Sequence, residues 1–393
     1  MDQAQSELAT AVVKAAMEMV EEKVSDAVSW SRGKADAVRQ RILSATGKAF
    51  EQYYTRTAER FASTKTILYR TDRVPLYEFF VPMSVRRGDD VLSTRHASIL
   101  TTATPYSVIT GLAGSGKSTL LKHLFLDAIQ NRQHLPILIE LRRLAETEPP
   151  DLRSLLYREV VGDERSVSQA IFELQVSRGR FLILLDAFDE VPSAHARTIE
   201  RQVLELADRF PECPVIMTSR PDERFVSWNA FSELALLPLD RDQAIELVNR
   251  LRYEPEVKGR FVGAMKETLF ESHQSFLQNP LLLTLMLMTY DQFGSIPSKM
   301  HLFYAQAFDT LFMKHDATKE GYRRELFSHL ASDDFQRALG AFALASYLRG
   351  KTTFAAPELD DLIAKALRVS GFETKCEVGA FRALYPVSWG SSG

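Results

Sequence analysis

The sequence is short of several things, and each shortage closes off a class of explanation. Only two cysteines, Cys213 and Cys376, occur in 393 residues, far apart and without a CxxC pair. That argues against a disulfide scaffold or a cysteine zinc site, and fits a reducing cytoplasm. Neither sign of charge dominates. Lys and Arg number 48 against 51 Asp and Glu, a formal net charge of -3. Such a balance supplies no general pull toward nucleic acid or an anionic membrane. No apolar run approaches the roughly 20 residues that a membrane-spanning helix needs. The longest strongly apolar stretch, "PLLLTLMLM" from Pro280 to Met288, is about half that length and reads as a core helix. The opening "MDQAQSELAT" is acidic and polar, unlike a secretory leader. No short internal repeat is visible, so a solenoid is not expected.

What is present is a patterned globular chain too long for a single compact core. Leu8, Val12, Ala15, Ala16 and Met19 recur at helical spacing, and "WSRGKAD" interrupts them. Residues 1–64 therefore read as a helical hairpin, with an effector or docking role or simple packing as its use. Residues 63–99 turn extended. From Tyr106 onward the short apolar strands "YSVIT", "LPILIEL", "RFLILLD", "CPVIMTS" and "ELALLPL" alternate with helical patterns. Strands with so little polar alternation suit a parallel sheet covered on both faces. The expected fold is α/β, a doubly wound nucleotide-binding sheet over residues 65–239. A helical domain is expected over 240–297, opened by Asp240 and Gln243 as a capping box and by Pro280 at the start of a later helix. A winged-helix-like domain is expected over 298–393, with "GKTTFAAPEL" as its wing.

Two stretches carry chemistry. Gly111, Gly116, Lys117 and Ser118 fit G-x-x-x-x-G-K-[ST], which arises by chance in roughly one chain of this length in seventy. Here it also follows an apolar strand and opens a helix, as a phosphate cradle requires. Gly111, Gly114 and Gly116 let the backbone wrap a phosphate, and the helix N-terminus adds N–H donors and positive dipole. Lys117 should reach the outer phosphates, Ser118 should ligate Mg²⁺, and Thr119 should support it. The second stretch, "FLILLDAFDEVP", closes a strand with Asp186 and continues to Asp189 and Glu190. Asp186 is the expected Mg²⁺ neighbour, Glu190 the expected base for an attacking water, and Asp189 its assistant. Arg220 ends a further apolar strand and should face the same crevice, where it can stabilise a terminal phosphate. No N-K-x-D stretch reads guanine, so adenine is favoured: ATP or ADP with Mg²⁺. No LSGGQ-type stretch points to a transporter ATPase, and no acceptor-base pocket points to a nucleotide kinase.

In this order and spacing, "GLAGSGKSTLL", "LLDAFDEVP", "TSRP" and "NPLLLTLM" resemble the NACHT-type NTPases of the STAND class, which include animal NOD-like receptors and bacterial antiphage proteins. "LPILIELRRL" also resembles the family's second strand. The resemblance runs over roughly residues 65–385. It implies phosphate and Mg²⁺ roles for Lys117 and Ser118, an extended acidic motif in Asp186, Asp189 and Glu190, and a sensor role for Arg220. It further implies that Pro280 packs near adenine and that Arg142 contacts a terminal phosphate or a neighbouring subunit. The implied behaviour is a cytoplasmic switch, closed with ADP, that self-associates when ATP and an unknown trigger ligand or phage protein open it. The N-terminal helices would then engage an effector partner. The family's winged helix often offers a histidine to the β-phosphate, for which His301 and His315 are candidates by region. Members usually continue into a sensor domain, so an end at "YPVSWGSSG" leaves two expectations, a short member or, favoured, a truncated or incomplete sensor.

Two other readings share these motifs. An AAA+-like remodelling motor would show steady ATP turnover. A DNA-binding ATPase would use the winged helix, where Arg323 and Arg324 form the only adjacent basic pair; the charge balance disfavours it.

Overall fold

The computed structural model describes residues 3–25, 36–69, 73–146, 149–162, 168–297, 302–307, 330, 332–350, 354 and 356–383. The chain forms two compact units, Met1–Asp291 and Gln292–Gly393. His301, His315, Arg323, Arg324, the "YPVSWGSSG" end and residues 351–353 and 355 of the expected wing lie outside the described residues, and the last four residues of that stretch open helix Ala356–Val369 instead.

The first unit is organised by a seven-stranded sheet. A two-residue ladder, β1 (Ser63–Thr64) with β2 (Val74–Pro75), precedes it. The main sheet contains β3 (Ser84–Arg87), β4 (Asp90–Ser93), β5 (Tyr106–Thr110), β6 (Leu135–Glu140), β7 (Phe181–Asp186), β8 (Val215–Ser219) and β9 (Ser232–Leu236). Their spatial order is β4-β3-β9-β5-β8-β7-β6. The five strands from β5 to β9 pair in parallel, as their continuous apolar runs predict. All five residues of β5 and of β8 are buried, so both faces of the sheet are covered.

The extended stretch before β5 does more than lead into the sheet. β3 and β4 form a hairpin, and β3 pairs antiparallel with β9, adding two strands at that edge. No local pattern announces this, because the partner strand lies some 150 residues away in sequence.

The opposite edge is β6, and the helical hairpin Gln3–Ser25 and Asp36–Ala62 belongs to the same unit as the sheet it flanks. Tyr53, fully buried, accepts the backbone N–H of Leu138 on its hydroxyl at 3.0 Å. That N–H faces outward from an edge strand and would otherwise be an unpaired buried donor. Phe50 stacks on Phe181 of β7 at 5.7 Å between ring centroids, and Phe61 meets Phe125 edge-on at 5.0 Å. Glu159, buried, takes Arg143 Nη1 at 2.6 Å and Arg56 Nη2 at 3.4 Å. Arg132 also pairs with Glu18.

After β9 the unit becomes helical. Asp240 and Gln243 form the reciprocal capping box that their spacing predicts, and Gln243 Nε2 also donates to the carbonyl of Pro82. The apolar run lies in helix Pro280–Phe293. Among the described residues, no helix is long and apolar enough to cross a membrane.

In the second unit, helices Ser332–Leu348, Ala356–Val369 and Val378–Ala383 share a core that includes Phe335, Phe342, Leu362 and Phe381. Phe335 and Phe381 lie 4.8 Å apart between ring centroids.

Candidate nucleotide site

The carboxyl ends of β5, β7 and β8 converge because the three strands are neighbours running the same way. In open parallel sheets this is where ligands bind. β5 runs into Gly111, whose N–H donates to the carbonyl of Ser219 at the end of β8 (3.2 Å). The loop then turns through Gly114 and Gly116, with φ of +75° and +93°. A side chain would be strained at either position. Gly116 caps helix Lys117–Gln130, so the free N–H groups of that helix open onto the loop.

Lys117 folds back over the loop, and its Nζ donates to the carbonyls of Gly111 (2.7 Å) and Leu112 (3.1 Å). Burial pushes its ammonium below the ordinary lysine value; Asp189 opposes that shift and Arg220 adds to it. Ser115 Oγ is buried in the loop with no hydrogen-bond partner among the described residues. A cradle of positive-φ glycines, a helix N-terminus, a half-buried ammonium and an orphaned hydroxyl is a donor set for phosphate oxygens.

Asp186 ends β7. Its Oδ1 accepts the hydroxyl of Thr218 at 2.6 Å, and the same hydroxyl accepts the N–H of Ala187 at 3.0 Å. Ala187 holds a left-handed backbone, φ +60°, which turns the chain sharply after the strand. Thr218 thus ties the ends of β7 and β8 together and orients the carboxylate, leaving Oδ2 without a hydrogen-bond partner among the described residues. Among those residues, no three His, Cys, Asp or Glu side chains gather to hold a metal alone. Asp186 with the exposed Ser118 fits Mg²⁺ instead, an ion that keeps few protein ligands and shares its shell with phosphate and water.

Asp189 and Glu190, adjacent in sequence, have different surroundings. Asp189 Oδ1 accepts the backbone N–H of Arg220 at 3.1 Å, and its Oδ2 accepts Arg220 Nε at 2.9 Å. Arg220 is thereby held at two points, and its terminal nitrogens have no partner among the described residues. Glu190 is half-exposed, and its nearest cation is Arg142 Nη1 at 3.8 Å. Burial raises the Glu190 carboxyl above the usual carboxylate range; Arg142 opposes the rise, and Asp189 and Asp186 add to it. Arg142 itself is held chiefly by Glu140, with Nη2 at 2.7 Å from Oε2.

Pro280 sits against the loop as well: a Cβ on Gly116 would lie 3.9 Å from Pro280 Cγ and 3.1 Å from Met83 Cε. Gly111, Gly114, Gly116, Lys117, Asp186, Asp189, Glu190, Arg220, Arg142 and Pro280 therefore gather around one crevice, and Ser118 and Thr119 lie on its helix. The motif "NPLLLTLM" contains Asn279 but assigns it no role, and Thr218 is not expected from the sequence as a bonding partner. The signal for Asn279 was its place before a helix-opening proline, where Asn is a favoured cap.

The strand order, the glycine loop closing on a helix and the acid at the next-but-one strand end define a P-loop NTPase. The family model for the NACHT domain matches residues 105–254. The chain carries a NACHT domain over those residues. Solved structures to which the chain is similar include a STAND ATPase with a tetratricopeptide repeat sensor from Pyrococcus horikoshii, at 16% identity and a TM-score of 0.36. The match covers 84% of this chain and 44% of that one, so the chain spans under half of that relative's length. AMPPCP-bound DnaA from Aquifex aeolicus matches at 13% identity and TM-score 0.30, covering 72% of this chain and 81% of that one. The Aeropyrum pernix ORC1 protein in complex with DNA matches at 15% identity and TM-score 0.33, covering 70% and 79%. No curated protein matches the chain by sequence.

Proposed function

We propose that this protein is an ATP/ADP-dependent signalling switch of the cytoplasm that hydrolyses ATP slowly with Mg²⁺ and self-associates in its ATP state. The observation that supports it best is the two-point grip of Asp189 on Arg220 beside the Lys117 loop. That grip presents the free end of a guanidinium to the crevice, where a terminal phosphate distinguishes ATP from ADP. A contact made with one nucleotide and not the other is what a population switch requires.

In this reading the loop N–H groups and Lys117 bind the outer phosphates. Asp186 and Ser118 hold Mg²⁺, which supplies charge neutralisation across the phosphate oxygens. Glu190 accepts the proton of an attacking water, for which its raised carboxyl and open position suit it. Asp189 serves Arg220 more than the water, a narrower part than its sequence position suggests. Pro280 packs by the base.

Equilibrium binding of ADP and a non-hydrolysable ATP analogue to wild type, Lys117→Ala and Arg220→Ala tests the reading. Lys117→Ala is expected to lose both nucleotides by about 100-fold, roughly 3 kcal/mol. Arg220→Ala is expected to lose the preference for the ATP analogue and keep ADP. Equal loss of both nucleotides in Arg220→Ala would remove the sensor. A defence role against phage is the narrower proposal, following the family resemblance. It requires that a bacterial host gain phage resistance with wild type and not with Lys117→Ala.

A further inference from the structure

The phosphate loop is held from two sides. On one side Lys117 Nζ takes the carbonyls of Gly111 and Leu112. On the other, the side-chain amide Nδ2 of Asn279 donates to the carbonyl of Ala113 at 3.0 Å, and the backbone N–H of Leu281 donates to the carbonyl of Gly114 at 3.3 Å. Carbonyl and N–H point opposite ways across a trans peptide. Fixing the Ala113 and Gly114 carbonyls toward helix Pro280–Phe293 therefore turns the N–H groups of Gly114 and Ser115 away from that helix. The Ser115 N–H accordingly points at the carbonyl of Leu112, one of the two that Lys117 occupies.

The orientation of the Asn279 amide is settled by its own helix. Its Oδ1 accepts the N–H groups of Leu281 (3.1 Å) and Leu282 (3.2 Å), which leaves Nδ2 as the end that meets the loop. The approach is close as well. A Cβ on Gly114 would lie 2.7 Å from Leu281 Cβ and 3.0 Å from Asn279 Oδ1, so the loop and the helix start touch without room for a side chain.

We infer that Asn279 is a positioning residue of the phosphate cradle, setting the peptide planes of the loop from outside the nucleotide crevice. Phosphate bound within the loop and the helix start seated against its back then stabilise each other, since coupling of this kind is reciprocal. The inference rests on the nucleotide-binding reading above. It deepens that reading by assigning the seat of helix Pro280–Phe293 to Asn279, a residue that touches neither base nor phosphate.

Two substitutions separate the latch from the helix cap. Asn279→Asp keeps a capping oxygen and replaces the donor with an acceptor facing the Ala113 carbonyl. Asn279→Ser keeps a capping hydroxyl that is too short to reach the loop. Both are expected to weaken ADP and a non-hydrolysable ATP analogue by the same factor, about five- to tenfold, because the loop contact is blind to the terminal phosphate. Melting temperatures without nucleotide should stay near wild type. In wild type, ADP should slow amide exchange at Leu281 and Leu282, and in Asn279→Ser that slowing should vanish. Wild-type affinity in both variants overturns the inference. So does a loss confined to the ATP analogue, or a loss that merely tracks a lowered melting temperature. If wild type itself binds neither nucleotide, the functional reading falls first, which is a distinguishable result.

Discussion

The β6 edge and the carboxyl ends of β5, β7 and β8 belong to one unit and are built on opposite principles. At the edge, Phe50, Tyr53, Tyr54 and Phe61 are almost wholly buried, and a tyrosine hydroxyl meets the N–H that the edge strand leaves over. At the carboxyl ends, Glu190, Arg220 and Arg142 are about half-exposed, two glycines hold positive φ, and a buried serine hydroxyl has no partner among the described residues. The first arrangement favours folding. The second forgoes stability to keep donors and acceptors facing a crevice. Substitutions in the two regions should therefore separate cleanly: one set moves stability, the other moves nucleotide chemistry.

Tyr53→Ala should show the largest effect. Emptying that fully buried site is expected to cost about 3–5 kcal/mol in denaturant unfolding. Nucleotide affinity per folded molecule should not change. A variant that kept full stability would remove the hairpin from the core account. Glu190→Gln should do the converse. ATP turnover with Mg²⁺ is expected to fall about 100-fold or more, with melting temperature and ADP affinity at wild-type levels. An active Glu190→Gln would pass the role of base to another group.

Arg142→Ala tests the electrostatics of the crevice through pH. Burial and the neighbouring Asp189 and Asp186 disfavour the ionised form of Glu190, whereas Arg142 favours it. The ionised form is the base, so turnover should rise with pH along a limb above the usual carboxylate range. Removing Arg142 removes the opposing influence, and the limb should move to higher pH. A limb that moves lower contradicts the assignment. The smallest effect sharpens the other region. Tyr53→Phe leaves the Leu138 N–H unmet and should cost about 1 kcal/mol, whereas Tyr54→Phe deletes a buried hydroxyl that has no partner among the described residues and should be neutral or slightly stabilising.

Legibility in the sequence followed the range of the interaction. The phosphate loop could be read because glycine spacing, Lys117 and Ser118 lie within eight residues and their geometry is local. Asp186 and Arg220 were legible as the last residues of apolar runs, and the parallel sheet was legible because its strands lack polar alternation. The pairing of β3 with β9 was not, since nothing within "SVRR" specifies a partner beyond residue 230. The bond from Thr218 to Asp186 joins two strand ends that meet only after the sheet forms. Asn279 precedes a helix-opening proline, but its bond to the loop 166 residues earlier has no local signature. Asp189 reads in the sequence as an assistant to Glu190, and nothing local separates their surroundings. The turn at Ala187 and the short 3₁₀ segment after it face them differently, one toward Arg220 and the other toward Arg142.

The most direct test of the switch is to purify the protein without added nucleotide, release and identify what it carries, and measure its mass in solution before and after ATP with Mg²⁺. The account predicts close to one ADP per chain in a monomer, and a larger assembly once ATP replaces it. An empty crevice, with rapid steady turnover in an assembly already formed, would contradict it.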